Sequence, residues 1–305
     1  MSEPHADAGS ATGTVHDLGY KRYAGARSSA GTRWRVILRN QIATGWKTWW
    51  RFKASLGIAV LVTFIAGGVM FILRDKMIRD FGGNFAATMA DAALPKSIEW
   101  YTRAAFLVSL TIGARVVAGD MQSGAFTFYF ARSVRPRDYV LGKLAGMCAL
   151  MALIFVAGPL VLSLARLGLS DDMPQLVDTL HLVPKALAIG VLGTVAFAAV
   201  PLAFSSMFGN VRHAMALWAA YYLVFGLMVS LLGRASHSWI GALDLATALE
   251  AVANKVFDLQ LFRGRAGWVP WDAALASLLA HTGAAIAILA VQVRRAYGAG
   301  VGGAS

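Results

Sequence analysis

Six long stretches of almost uncharged, apolar residues constrain this chain more than any other feature. They cover residues 55–73, 100–119, 144–165, 186–208, 214–232 and 273–293. A helix needs about 20 apolar residues, rising about 1.5 Å each, to cross about 30 Å of hydrocarbon. Only 14% of the residues are charged, against about 25% in a soluble domain. The sequence therefore predicts an all-α integral membrane protein with six transmembrane helices.

The net charge of +12 is unusual for so apolar a chain, and its distribution predicts the orientation. An even number of spans places both termini on one side, which then holds seventeen Lys and Arg residues against eleven on the other. Since Lys and Arg are enriched in cytoplasmic flanks, we expect both termini in the cytoplasm and the protein in the cytoplasmic (inner) membrane. The whole excess charge then lies on the cytoplasmic side, and it does not indicate nucleic-acid binding.

The segments before and after the spans differ in composition. Residues 1–31 are rich in Gly, Ala, Ser and polar residues and are predicted to be a flexible cytoplasmic tail. Residues 294–305 are predicted to be a second cytoplasmic tail. Residues 32–54 carry apolar side chains at three- and four-residue steps among many basic ones, which predicts an amphipathic helix lying at the membrane interface. The apolar positions are Trp34, Ile37, Leu38, Ile42, Trp46 and Trp49.

The predicted six-span transmembrane domain covers residues 55–293. Two of the segments that connect its spans are distinctive. Residues 233–270 form the longest outer segment and keep helical spacing of apolar residues, so we expect one or two short helices on the outer face or dipping into it. Residues 119–142 connect the second and third spans on the cytoplasmic side. This second segment contains the most distinctive residue order in the chain.

That order runs from Val117 to Lys143. An acid is followed by Ser-Gly, an apolar helical turn, an Arg/Pro cluster, and Tyr-Val-Leu-Gly-Lys at the start of the next span. This order resembles the type 2 permeases of ATP-binding-cassette (ABC) transporters, the six-span membrane subunits of many bacterial exporters. The family pattern is an acid, a Ser/Thr/Arg-Gly step, an apolar turn, a Pro-x-Ser-Arg-like element and Gly-Lys at the third span.

Six residues fit this pattern: Asp120, Ser123, Gly124, Tyr139, Gly142 and Lys143. The middle of the segment departs from it, because Ser133 stands where the family usually has proline and Pro136 where it usually has arginine. The six-span topology, the helix before the first span and the outer helical segment extend the resemblance over most of the chain.

The resemblance implies a permease that pairs with a second permease copy and with two nucleotide-binding ATPase subunits. Residues 119–142 would contain the coupling helix that docks on the ATPase. Gly124 would permit a tight turn, while aromatic side chains would supply apolar contact and arginines would meet acidic partner surface or lipid phosphate. The aromatic residues are Phe126, Phe128 and Phe130, and the arginines are Arg132, Arg135 and Arg137. The plainer interpretation is a loop whose bases serve only membrane topology.

The chain lacks the motifs of an enzyme. It contains no phosphate-binding Gly-x-x-x-x-Gly-Lys-Ser/Thr loop, so ATP and Mg²⁺ are expected in the partner subunit and no cofactor in this chain. The six histidines show no metal-ligand spacing, and Cys148 is the only cysteine. His281 lies within the sixth predicted span and either lines a translocation path or bonds to a neighbouring helix. Arg115 either pairs with Asp120 or extends to the inner interface.

The function predicted from the sequence is that of a membrane permease subunit of an ABC transporter, exporting a substrate with ATP hydrolysed by a separate subunit. The alternative is an ATP-independent secondary carrier or a membrane-embedded enzyme. A carrier needs charged groups within the membrane, and an enzyme needs a cluster of catalytic residues. The predicted spans contain few ionisable residues, and the sequence shows no such cluster.

Overall fold

The computed structural model describes residues 32–47, 49–72, 83–131, 134–170, 173–259 and 264–302. The predicted flexible tail, residues 1–31, lies outside these residues, and so does Arg132. The described part of the chain contains helices and no strand. In chain order the α-helices are α1 (Arg33–Lys47), α2 (Trp49–Ile72), α3 (Gly83–Val108), α4 (Ala114–Gln122), α5 (Ala125–Ala131), α6 (Pro136–Phe155), α7 (Ala157–Gly168), α8 (Met173–Thr179), α9 (Leu182–Met207), α10 (Val211–Ala219), α11 (Gly226–Ser236), α12 (Leu245–Val256) and α13 (Trp271–Gly302).

Six helical stretches among the described residues are long and apolar enough to cross a membrane, which confirms the predicted number of spans. They are span 1 (Phe52–Ile72), span 2 (Ala92–Gln122), span 3 (Pro136–Gly168), span 4 (Met173–Met207), span 5 (Val211–Ser236) and span 6 (Trp271–Gly298). All six are longer than predicted, most of all spans 2, 3 and 4. The predictions stopped near charged residues, whereas the helices continue through charges that have partners, such as Lys143.

Two spans contain a π-helical turn, and the two turns are joined to each other. Residues Ser109–Gly113 separate α3 from α4, and Ala220–Phe225 separate α10 from α11. The indole Nε1–H of Trp218 donates to Ser109 Oγ at 2.9 Å, and the rings of Phe106 and Tyr222 stack at 4.1 Å. Spans 2 and 5 are therefore fastened together where their helical geometry changes.

Span 3 bends at Val156, between α6 and α7. Pro159 has no N–H to offer the carbonyl of Phe155 four residues earlier, which explains the break. Span 4, in contrast, passes Pro201 within the single helix α9. The middle of the molecule is α9, which packs against α4, α6, α7, α10 and α13.

Helix α1 is present where the sequence predicts a helix, and it packs against protein. It runs alongside the start of α6 in the same direction, and glycines allow the close approach. A Cβ at Gly142 would lie 2.6 Å from Ile37 Cβ, and one at Gly146 would lie 2.7 Å from Gln41 Cβ. The buried residues of α1 are Ile37, Gln41 and Gly45. An interfacial position for α1 in a membrane stays a prediction.

Contacts place several connections and both ends of the described chain at one end of the bundle. α1 touches the start of α6, the backbone N–H of Val211 donates to Gln122 Oε1 at 3.4 Å, and Tyr297 of α13 touches Phe130 of α5. We call this the α5 end. The opposite end, the α12 end, is built around α12, whose residues from Leu245 to Asn254 are all buried.

Candidate partner-docking site

Helix α5 is set off from span 2 by a tight turn at Gly124. Its φ of +67° lies in the left-handed region, which glycine adopts without a Cβ clash. The backbone N–H of Ser123 donates to the carbonyl of Gly119 at 3.0 Å, and that of Gly124 to Met121 at 3.1 Å. These bonds end α4, and α5 begins one residue later.

Beneath α5 lies a buried ion pair that joins spans 2 and 3. The Lys143 ammonium lies 2.7 Å from Asp120 Oδ2, and the Tyr139 hydroxyl donates to the same oxygen at 2.6 Å. The Lys143 side chain is 5% exposed and that of Asp120 18%. Lys143 Nζ also lies 5.4 Å from the centroid of the Tyr139 ring, within the range of a cation–π contact. One carboxylate thus fixes the end of span 2 against the first turns of span 3.

The aromatic residues of α5 fall into two groups. Phe126 meets the Tyr139 ring edge-on at 5.1 Å, and Phe130 meets the Tyr297 ring edge-on at 5.1 Å. These contacts attach α5 to spans 3 and 6. Phe128, between them in sequence, points away from the bundle and is 72% exposed.

Tyr129 completes the ring contacts under α5. Its ring lies 5.6 Å from that of Tyr139. Burial raises the pKa of Tyr129, and the nearby Asp120 charge raises it further. Since an unperturbed tyrosine has a pKa of about 10, the phenol stays neutral at physiological pH and contributes packing rather than charge.

The return from α5 to span 3 is shaped by Arg135 and Pro136. Arg135 is extended, and its N–H donates to the Asp138 carboxylate at 3.4 Å. Pro136 occupies the first helical turn, where its fixed φ and missing N–H are well tolerated. Arg135 and Arg137 are both exposed. The proline that departs from the family pattern therefore starts α6 and leaves an arginine on each side.

The predicted site residues thus separate into two sets. Ser123, Gly124, Phe128, Arg135 and Arg137 lie at the surface. Asp120, Tyr139 and Lys143 form the internal support, and Gly142 packs against α1 instead of facing outward.

Two further residues, Tyr297 and Ser205, take part in the arrangement and were not among the predicted ones. Tyr297 was missed because the sixth span was predicted to stop before Arg294. Its position one helical turn beyond Arg294 was a usable signal that it belongs to the same helix. Ser205 was missed because nothing in the sequence pairs it with span 2. Its Oγ accepts the backbone N–H groups of Val117 at 3.0 Å and Ala118 at 2.9 Å.

His281 and Arg115 fall outside this site. His281 Nδ1 lies 2.8 Å from the carbonyl of Ser277 on its own helix, and both alternatives for this residue, a translocation path or a bond to a neighbouring helix, stay predictions. Its ring lies 6.2 Å from that of Tyr221. Asp120 pairs with Lys143, so the alternative in which Asp120 pairs with Arg115 is not the arrangement found.

The α12 end has a different set of charges. Lys96 Nζ lies 3.3 Å from Glu250 Oε1 and 3.7 Å from Glu99 Oε2, and Arg103 lies 2.6 Å from Glu99 Oε1. The network links α3 to α12. Asp244 caps the start of α12 by accepting the Thr247 backbone N–H at 3.1 Å, which stabilises this helix among the spans.

The family model described as "ABC-2 family transporter protein" matches residues 46–244. No curated protein sequence matches the chain. The matched region begins at the end of α1, includes spans 1 to 5, and contains the whole segment around α5. Because the match covers more than half of the chain, this six-span protein belongs to the ABC-2 transporter family, the membrane permeases of ATP-binding-cassette transporters.

Proposed function

We propose that this permease exports its substrate across the cytoplasmic membrane with ATP hydrolysed by a separate subunit that docks on α5. The complete transporter would contain two permeases and two nucleotide-binding ATPase subunits. ATP and Mg²⁺ would bind to the ATPase subunits. Both termini and α5 would then lie in the cytoplasm, in keeping with the excess of Lys and Arg assigned to that side.

One observation carries the proposal: α5 presents a single large apolar side chain on a rigidly supported helix. Phe128 is 72% exposed, while its neighbours Phe126 and Phe130 hold the helix to the bundle. An exposed aromatic anchor of this kind suits a pocket on a protein partner, since such residues contribute much of the binding energy of interfaces.

The support beneath α5 explains how docking could act on the spans. A partner that moves α5 also moves Tyr139 through Phe126, and Tyr139 bonds Asp120 at the end of span 2. Because Asp120, Tyr139 and Lys143 are closely joined, spans 2 and 3 would move together. ATP binding can shift the permease between two states only if the docked ATPase binds them with different affinities.

The match to the ABC-2 transporter family favours a transport subunit over a secondary carrier or an enzyme. We therefore do not propose a secondary carrier or an enzyme.

The test is co-purification of the tagged full-length permease with a P-loop ATPase, the first candidate being one encoded in the adjacent reading frame. Phe128→Ala is expected to lose most of the bound ATPase, and glutamate at Arg132, Arg135 and Arg137 is expected to abolish binding. The matched control is Phe64→Ala on span 1, which removes an equally exposed phenylalanine (76%) far from α5. Intact binding and transport in the Phe128 and arginine variants would overturn this assignment of α5.

A further inference from the structure

Helix α13 continues well beyond the length that a membrane crossing requires. It runs unbroken from Trp271 to Gly302, 32 residues, or about 48 Å at 1.5 Å per residue. Since about 20 residues cross the hydrocarbon, about a dozen are left over. Arg294 and Arg295 are exposed near the end that contacts α5.

A specific contact ties this extension to α5. The Tyr297 ring meets Phe130 edge-on, with centroids 5.1 Å apart and planes at 86°. This is a favoured geometry for aromatic pairs. Phe130 also contacts Phe126 at 5.3 Å and so belongs to the cluster that supports α5. Arg294 lies one helical turn before Tyr297 and therefore projects from the same side of α13.

The charges around α5 are unbalanced at the surface. The elements that adjoin α5 carry four exposed arginines, of which Arg294 lies on the Tyr297 side of α13 and Arg295 on another side: Arg135, Arg137, Arg294 and Arg295. Of the two acids between residues 119 and 143, Asp120 pairs with Lys143, and Asp138 is buried and accepts the neutral backbone N–H of Arg135. Among the described residues, Arg294 and Arg295 form no ion pair. The surface thus combines an apolar anchor, Phe128, with uncompensated positive charge.

We propose that the end of α13 is a second part of the ATPase-docking surface, and that Arg294 and Arg295 bind acidic side chains beside the pocket that receives Phe128. This inference rests on the proposed function. It adds a partner-binding role to a segment that would otherwise serve only as the basic flank of a span. The partner that fits is a protein surface with an apolar cleft and an acidic rim. Its acidic residues would complement the charge of the arginines.

The experiment measures the affinity of the full-length permease for the co-purifying ATPase in detergent, in nanodiscs of zwitterionic lipid and in nanodiscs that contain anionic lipid. Arg294→Glu/Arg295→Glu is expected to weaken binding at least about tenfold at low salt. The loss should shrink as salt rises, because salt screens exposed charges. The matched control is Arg35→Glu/Arg39→Glu, which makes the same change of charge at two exposed positions of α1 and should leave the affinity within about twofold.

Three further variants keep the test decisive. Charge reversal at a span flank can alter orientation, so Arg294→Gln/Arg295→Gln is measured as well, with the location of a C-terminal tag as a check. Tyr297→Ala should weaken binding by releasing the end of α13 from α5. Tyr297→Phe keeps the ring contact and should bind as the wild type does.

The outcomes separate this inference from the proposed function. If Phe128→Ala weakens binding while the α13 arginine variants match the α1 control, the inference is wrong and the docking role of α5 stands. If neither Phe128→Ala nor the α13 arginine variants change the affinity, the proposed docking of the ATPase on α5 is wrong, and this inference is wrong with it. A loss confined to membranes containing anionic lipid would show that these arginines bind lipid phosphate, and would overturn the inference too.

Discussion

Span 2 is tethered by ion pairs at both ends, and the two tethers are built differently. At the α5 end one carboxylate, Asp120, receives Lys143 at 2.7 Å and the Tyr139 hydroxyl at 2.6 Å. At the α12 end the closest link between helices, Lys96 to Glu250, measures 3.3 Å, and the Lys96 side chain is 27% exposed against 5% for Lys143.

The difference concerns what happens when one contact breaks. Lys143 has one acid within reach among the described residues, so loss of Asp120 leaves a buried ammonium group without a counter-charge. Lys96 lies near two acids, Glu250 and Glu99, and Glu99 also contacts Arg103. When one contact of Lys96 breaks, the other acid still balances its charge. The α5 end therefore favours one geometry, whereas the α12 end tolerates several.

The largest effect is expected from Asp120→Asn. Removing one partner of a buried pair costs about 3–5 kcal/mol, so the free energy of unfolding should fall by about that amount. It can be measured by detergent-induced unfolding followed by tryptophan fluorescence. Asp120→Asn/Lys143→Met should recover much of the loss, because no charge is then left buried. A double variant no more stable than the single one would show that the pair does not act as described.

Ser205→Ala tests the backbone contact next to this pair. Ser205 Oγ accepts two buried N–H groups of α4, and leaving such donors unsatisfied costs about 1–3 kcal/mol. The neighbouring Ser206 is the control, since it is equally buried but its hydroxyl donates only to Ala203 of its own helix at 2.7 Å. Ser206→Ala should change the unfolding free energy much less. Equal losses in the two variants would show that the bonds from Ser205 to α4 contribute nothing specific.

Gly142→Ala tests the fit of α1 on span 3, also at the α5 end. The new Cβ would lie 2.6 Å from Ile37 Cβ and 2.8 Å from the Trp34 carbonyl oxygen. Overpacking of this kind typically costs about 1–3 kcal/mol. Gly68→Ala in span 1 meets nothing within 4 Å and should be neutral or slightly stabilising. A thermal-stability series in one detergent compares them, and an unchanged Gly142 variant would mean that α1 can move away freely.

Glu250→Gln at the α12 end should have the smallest effect. Although Glu250 is 2% exposed, Lys96 is 27% exposed and keeps Glu99 within 3.7 Å, so Glu250→Gln leaves no buried cation without a counter-charge. The same unfolding measurement applies. A loss as large as that of Asp120→Asn would abolish the contrast between the two ends.

The number of spans could be predicted because apolar runs of sufficient length are visible in the sequence. Their ends could not, because a charged residue such as Lys143 continues a helix only when a partner such as Asp120 is near in space. The π-helical turns at Ser109–Gly113 and Ala220–Phe225 were equally out of reach. They depend on contacts between spans, such as that of Trp218 with Ser109.

The residue order around α5 singled out this segment as a candidate but could not divide its residues between surface and interior. Phe126, Phe128 and Phe130 look alike in the sequence. Only the positions of Tyr139 and Tyr297 decide that the first and third face inward and the second outward. Long-range packing therefore determines which predicted residues are available to a partner.

The continuity of α13 has a mechanical consequence. This one helix contacts α5 near its end and α12 along its length, and it contains no proline or π-helical turn. Spans 2 and 5 each include a π-helical turn, and span 3 bends at Val156, so they can absorb a displacement by flexing. Because α13 is one unbroken helix, a displacement delivered near Tyr297 would be carried along it toward α12.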